Sequence, residues 1–210
     1  VVHVNPELKV LYFGTPVVLI STCNADGSAN LAPMSSAWWL GQSCMLGMGN
    51  RSKTMENLVR ERECVLNLVA SDMAPVVDRL APLTGAHPVP EGKAAKGYRF
   101  EADKFGAAGL TRQQSAVVRA PRVEECPIQL ECLVEQVHPF GRGASAVEVR
   151  TVRAHVEERL VIPGTDYIDP AGWDPLIMKF CEFFGGGSNV HPSALATAWR
   201  MPHQRLTSMS

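Results

Sequence analysis

The sequence predicts a mainly β protein, an antiparallel barrel of short strands with a few peripheral helices. Three observations lead there. Between residues 10 and 70, apolar β-branched runs alternate with tight-turn signals, the pattern of a strand meander. Little helical period separates them, so the strand–helix alternation of a parallel sheet is missing. Two more strand-like runs, Ile128 to Val137 and Val147 to Val156, follow later in the chain.

The elements justify themselves in order. Pro16-Val-Val-Leu-Ile-Ser-Thr-Cys23 is continuous and β-branched, a buried strand, and Asp26-Gly27 supplies a strong hairpin signal. Ala29 to Leu40 returns, Gly41-Gln-Ser43 turns, and Cys44 to Met48 gives a third strand. Residues 52–63 change period. Met55, Leu58 and Val59 share one face, Glu56 and Arg60 are spaced for an i,i+4 pair, and Ser52 or Thr54 can cap the helix. Cys64 to Val69 reads as a strand, Asp72 to Leu80 as a short helix, and the Pro/Gly/Ala/Lys-rich 82–97 as a loop. A short piece beginning at Lys104-Phe105 stops near Gly109. The late strand from Val147 slips phase near Thr151, which predicts a bulge. Trp173, Leu176, Ile177, Phe180 and Phe184 form a helical stripe over 169–184, ended by Gly185-Gly-Gly187. The expected organisation is one domain over 1–187 and an arm or docking segment over 188–210, where Leu195 and Trp199 suggest a short helix.

Composition narrows the function. The 210 residues are 46% hydrophobic with net charge -1, which excludes disorder and gives no global field for nucleic acid. No apolar run approaches a membrane span, and the first residues carry no charged-then-apolar leader. Cys23, Cys44, Cys64, Cys126, Cys132 and Cys181 include no Cys-x-x-Cys. In a chain this large they read as free thiols, and the expected location is the cytoplasm. The six histidines show no metal-ligand spacing.

Several catalytic motifs are missing. There is no P-loop. Gly141-x-Gly143-x-x-Ala146 loosely matches a dinucleotide fingerprint but leads into a strand rather than a helix. Gly41-Gln-Ser-Cys-Met45 lacks the closing glycine of a nucleophile elbow.

One constellation carries chemistry. Asn30-Leu-Ala-Pro-Met-Ser-Ser36 is a strand with small polar residues, and its proline marks an edge or a break. Free backbone groups at such an edge can face a planar heteroaromatic ring. Asn50-Arg-Ser-Lys-Thr-Met-Glu-Asn57 is a polar loop entering a helix, a cradle for an anion. Ring edge beside phosphate cradle describes a mononucleotide site. The plainer alternative is that Ser52 and Thr54 only cap a helix and Asn30 only makes a turn bond.

The chain resembles the flavin reductase-like family, the FMN-binding split barrels. The likeness lies in ordered pieces: Thr15-Pro-Val-Val-Leu-Ile-Ser-Thr, Asp26-Gly-Ser-Ala-Asn-Leu-Ala-Pro-Met-Ser, Arg51-Ser-Lys-Thr-Met-Glu-Asn, Cys64-Val-Leu-Asn-Leu, Asp103-Lys-Phe-Gly-Ala-Ala-Gly-Leu and Ala120-Pro-Arg-Val-Glu-Glu-Cys-Pro-Ile-Gln-Leu-Glu-Cys132. It implies a six-stranded Greek-key split barrel, a homodimer, and FMN near the dimer interface, with FAD as an alternative. By the same resemblance, Asn30, Ala32, Pro33, Ser35 and Ser36 would face the flavin ring and ribityl chain. Asn50, Arg51, Ser52, Lys53 and Thr54 would form the phosphate loop. Many relatives carry Gly-Asp-His before the penultimate strand; here the stretch is His138-Pro-Phe-Gly-Arg-Gly143, which leaves His138 as the candidate on the nicotinamide side.

The function implied is an NAD(P)H:flavin reductase, passing hydride to FMN and then reduced flavin or electrons to a monooxygenase partner or another acceptor. The alternatives are an oxygenase of the same fold and a non-enzymatic flavin-binding protein. Of the remaining residues, His155 reads as structural, Lys104 as exposed by default though able to approach the flavin, and at most one of Trp38 and Trp39 can touch the ring.

Overall fold

The apolar runs form strands because their side chains find cover on both faces. The structure, a computed structural model, describes residues 1–205. In chain order it contains β1 (Phe13–Pro16), β2 (Val18–Cys23), β3 (Ala29–Met34), β4 (Ala37–Leu40), β5 (Ser43–Gly49), α1 (Lys53–Glu61), β6 (Glu63–Leu68), α2 (Ala74–Leu80), β7 (Leu83–Thr84), α3 (Glu91–Ala94), β8 (Arg99–Phe100), α4 (Lys104–Ala108), β9 (Arg112–Gln113), β10 (Arg122–Val123), β11 (Ile128–Phe140), β12 (Ala144–Val156), β13 (Ile177–Lys179), β14 (Glu182–Phe184) and α5 (Ala194–Ala198).

Seven strands form one antiparallel sheet in the order β3-β2-β6-β11-β12-β5-β4. The resemblance predicts six. The run from Ala29 to Leu40 is cut at Ser35-Ser36, so that β3 and β4 end on opposite edges of the sheet. Two residues cannot span a flat sheet of that width, so the sheet curls. Its inner face gathers Val18, Ile20, Ala37, Leu46, Leu66, Val134, Val147 and Val149 into one core, stoppered by Met55 and Leu58 of α1. The edges β3 and β4 are not neighbours in the sheet, so it is curled but not closed.

Strand β2 is buried on both faces, as its continuous apolar run predicts. Val18 and Ile20 point inward. Leu19 points outward into a second core with Val77 and Leu80 of α2, Phe105 and Ala108 of α4, and Leu176. The predicted bulge is present: Glu131 faces Arg153 and Cys132 faces Thr151, leaving Val152 unpaired. The glycines of the loose dinucleotide match lie at the β11–β12 turn, Gly141 and Gly143 both at positive φ.

Three expectations are corrected. Residues 169–184 are not a helix but an irregular segment followed by the β13–β14 hairpin. Pro170 and Pro175 break helical continuity, and Phe180 and Cys181 both adopt positive φ, which makes the tight turn. Of the apolar residues that mimic a helical stripe, Ile177 serves β13, which pairs with β1, Phe184 serves β14, Leu176 enters the outer core and Phe180 sits in the turn. Val59 is exposed, whereas Met55 and Leu58 are buried. The 82–97 loop contains β7 and α3. Elsewhere, Glu56 and Arg60 are within 3.5 Å, Cys181 is exposed and the other five cysteines are buried free thiols. Leu195 lies within the five-residue α5 and Trp199 caps its C-terminus, and both are largely exposed. Among the described residues no helix is long and apolar enough to cross a membrane.

One buried carboxylate pins a loop to this frame. Glu131 on β11 is fully buried. It accepts hydrogen bonds from the backbone N–H of Ala116, Val117 and Val118 and lies 2.6 Å from His155 Nε2. His155 is therefore structural, as the sequence suggests. Burial alone would raise the Glu131 carboxyl; these donors outweigh it and hold the group down at about 2. Because the folded value lies below the unfolded one, the stabilisation is complete above about pH 4.5 and is lost as pH falls through about 2. Glu131→Gln is expected to cost about 1–3 kcal/mol at pH 7. In urea unfolding, the gap between wild type and variant should close between roughly pH 5 and pH 2.

Candidate functional site

The free edge of β3 and the N-terminus of α1 meet at a cavity of about 680 Å³, a volume suited to a small ligand or cofactor. Its wall includes Ala32, Pro33 and Met34 of β3, the loop from Gly49 to Thr54, Thr84 and Gly85, and Lys93, Tyr98 and Lys104. Pro33 on this edge has no N–H to leave unpaired, which is why a proline is tolerated there.

The α1 entrance is built from local signals. Ser52 has an extended backbone, and its Oγ accepts from Met55 N at 3.1 Å. The Asn50 N–H donates to Gly143 O at 3.0 Å, and its Oδ1 accepts from Ser145 Oγ at 2.7 Å. The β11–β12 turn thus steadies the loop. Lys53 points to Glu56, with Nζ 2.9 Å from the carboxylate. Arg51 is exposed.

Behind the wall runs a buried polar chain. Asn57 and Asn30 both donate to Thr22 Oγ1, at 2.9 and 3.2 Å, and Asn30 also donates to Thr54 Oγ1 at 3.2 Å. The remaining Asn30 atom, Oδ1, accepts from Lys104 Nζ at 3.1 Å, and Leu31 O accepts from the same Nζ at 2.9 Å. Lys104 is buried, contrary to the exposed position expected by default, and lines the cavity. Its bonded partners are neutral, and among the described residues no carboxylate forms an ion pair with it. Burial, with Lys93 adding a like charge, brings its pKa down to about 8. The more distant Glu101 carboxylate opposes this only in part. A buried cation on a cavity wall with no ion-pair partner is a site that calls for an anion.

The structure brings Ala32, Pro33, Asn50, Arg51, Ser52, Lys53 and Thr54 to one cavity. Asn30 stands behind the wall as the partner of Lys104. Ser35 and Ser36 are not in the lining; Ser36 O instead accepts from Gly47 N at 2.8 Å, where the chain passes to β4. Trp38 and Trp39 are not in the lining either. His138 lies far along β11, opposite Ala146 and 3.7 Å from Glu148, and is also outside the lining. Sequence reading missed Lys93, Tyr98, Thr84 and Gly85. Only Gly85 carried a local signal, as a glycine in a turn-rich stretch.

Gly85 is held by crowding. A Cβ there would lie 2.7 Å from Asn30 Oδ1 and 3.2 Å from Lys53 Cγ. Gly85→Ala is expected to push Asn30 off Lys104 and to cost about 1–3 kcal/mol, read as a lower melting temperature.

The fold is thus a curled antiparallel sheet with a cation-lined cavity at its free edge. The profile of the flavin reductase like domain matches residues 10–176, and the chain belongs to that family. It is 38% identical over 184 residues to the uncharacterized protein YdfE of Bacillus subtilis (strain 168), covering 87% of this chain and 88% of YdfE. Its fold is similar to flavoredoxin of Desulfovibrio vulgaris (Miyazaki F), with a TM-score of 0.76 and 16% identity, covering 93% of this chain and 100% of that one. It is also similar to nitrilotriacetate monooxygenase component B from Bacillus cereus, with a TM-score of 0.73 and 20% identity, covering 91% of this chain and 98% of that one.

Proposed function

We propose that the protein is an NAD(P)H-dependent flavin reductase that binds FMN in the cavity between β3 and α1. The observation that carries this reading is Lys104, a buried cation with neutral partners on the wall of that cavity. The residues fit a flavin mononucleotide. The loop 50–54 and Lys104 would hold its phosphate, and the β3 edge from Ala32 to Met34 would lie against its ring and ribityl chain. FAD remains the alternative flavin, and the family membership supports either.

When bound, the flavin would supply the redox chemistry by taking hydride from the reduced nicotinamide. The protein's part is orientation and charge. The α1 N-terminus offers unpaired backbone N–H groups and a positive dipole end to the phosphate. Lys104 adds a cation whose position is fixed by Asn30 and Leu31. Free backbone N–H groups at the β3 edge would stabilise negative charge on the reduced ring. No side-chain nucleophile is needed, and the placement of His138 outside the cavity fits a mechanism in which it holds no proton.

The wider assignments rest on the same reading. The catalytic unit is residues 1–187, working as a homodimer in the cytoplasm, with 188–210 as a docking arm. Counting β3 and β4 as one strand bent at Ser35-Ser36 supports the six-stranded Greek-key description. Because one protein of similar fold is a monooxygenase component B, passing reduced flavin or electrons to a partner enzyme is a natural outlet.

The test is optical. Titrating the purified protein with FMN should give a bound-flavin spectrum that bleaches on anaerobic addition of NADH or NADPH. Absence of flavin uptake would remove the reading. Lys104→Met should weaken FMN binding by about tenfold or more, equivalent to about 1.4 kcal/mol. At pH 8.5, FMN binding should take up protons, because the phosphate raises the Lys104 pKa from about 8 towards its ordinary value. Calorimetry in buffers of different ionisation enthalpy would detect this uptake, and the variant should lack it.

A further inference from the structure

The cavity holds more cation than a single phosphate anchor requires. Lys93 lies on α3, in the segment between β7 and β8, and faces the same cavity as Lys104. Its Nζ is 3.5 Å from Thr84 Oγ1 and 5.4 Å from the centre of the Tyr98 ring. Thr84 is buried, and its Oγ1 also accepts from Ala86 N at 3.2 Å. Lys93 is thus held in place by a hydroxyl and an aromatic face. Like Lys104, it has no ion-pair partner among the described residues. Lys53 differs, because Glu56 neutralises it. Both ammonium groups line one cavity, where the charge on Lys93 disfavours protonation of Lys104 and Glu101 offsets this in part.

Two facing cations discriminate by charge. A terminal phosphomonoester carries about -1.5 to -2 at pH 7 and offers three acceptor oxygens, enough to serve both ammonium groups. An internal pyrophosphate also carries two negative charges, but spreads them one to each phosphorus, and each phosphate has one more oxygen committed to the bridge. An uncharged hydroxymethyl end neutralises neither cation. We propose that Lys93 and Lys104 form a paired-cation subsite that selects a terminal phosphomonoester, so that this protein takes FMN in preference to FAD and to riboflavin. This rests on the flavin reading above and narrows it. Lys93 is the specificity-determining residue. Lys104 anchors any phosphate, and Lys93 is satisfied only by a second charge on that same phosphate.

The experiment is equilibrium binding of FMN, FAD and riboflavin to the full chain, followed by quenching of flavin fluorescence. Three variants are compared with wild type: Lys93→Met, Lys93→Arg, and Lys96→Met as a control. Lys96 is an exposed lysine of the same segment outside the cavity lining, and its loss changes the net charge equally. Wild type is expected to prefer FMN over FAD by about tenfold or more. Lys93→Met should erase most of that preference by weakening FMN, whereas Lys93→Arg and Lys96→Met should keep it. Melting temperatures without flavin, matched among the variants, separate this effect from misfolding. Flavin binding without an FMN preference, or a preference that survives Lys93→Met, overturns the paired-cation subsite and leaves the flavin reading standing. No uptake of any flavin overturns both.

Discussion

Lys104 holds its ammonium group between Asn30 Oδ1 and Leu31 O, and much of the molecule is arranged around that contact. The lysine arrives on α4, which is anchored by Phe105 and Ala108 in the outer core. Asn30 belongs to the edge strand β3. Its amide continues the chain to Thr22 on β2 and Thr54 on α1. A single polar network therefore fixes two helices and two strands against one another at the place where the cavity opens. Inside a protein such a network is stable only when every member is satisfied. Its one feature without a direct ion-pair partner among the described residues is the positive charge of Lys104, and that residue lines the cavity.

The curl of the sheet makes the contact possible. Because β3 and β4 leave the Ser35-Ser36 corner for opposite edges, β3 keeps a free edge instead of being sealed into a closed barrel. The inner core needs a plug, and α1 supplies it with Met55 and Leu58. Packing therefore places the N-terminus of α1 beside the free edge. The site is a consequence of how this sheet is stoppered, with Ser52 and Thr54 positioned by the same helix that completes the core.

The parts legible in the sequence were those with local signals. The β2 run, the Asp26-Gly27 turn, the Ser52 cap and the Thr151 phase slip each state their structure within a few residues. The candidate site was legible to the same extent, since the β3 edge and the 50–54 loop are contiguous segments. Two kinds of feature were hidden. The stripe from Trp173 to Phe184 satisfies a helical spacing, yet Pro170, Pro175 and the positive-φ pair Phe180–Cys181 make it an irregular segment and a hairpin. Its apolar residues gave the period without the continuity. Lys104 was hidden for a different reason. Nothing near it in sequence marks it as buried, and its acceptors lie on a strand more than seventy positions earlier. Burial of a polar group is decided by tertiary partners, which a one-dimensional pattern does not carry. Lys93 shares that origin, emerging from a segment whose composition reads only as loop.

The central claim is that the buried charge of Lys104, held by neutral partners, marks the phosphate end of the flavin site. A crystal structure of the protein grown with FMN tests it most directly. The account predicts the phosphate within hydrogen-bonding distance of Lys104 Nζ and of the 50–54 loop, with the ring along β3. Flavin bound elsewhere, for instance in the larger cavity of about 1060 Å³ bordered by Phe13, Trp173 and Phe184, with Lys104 facing solvent, would contradict it.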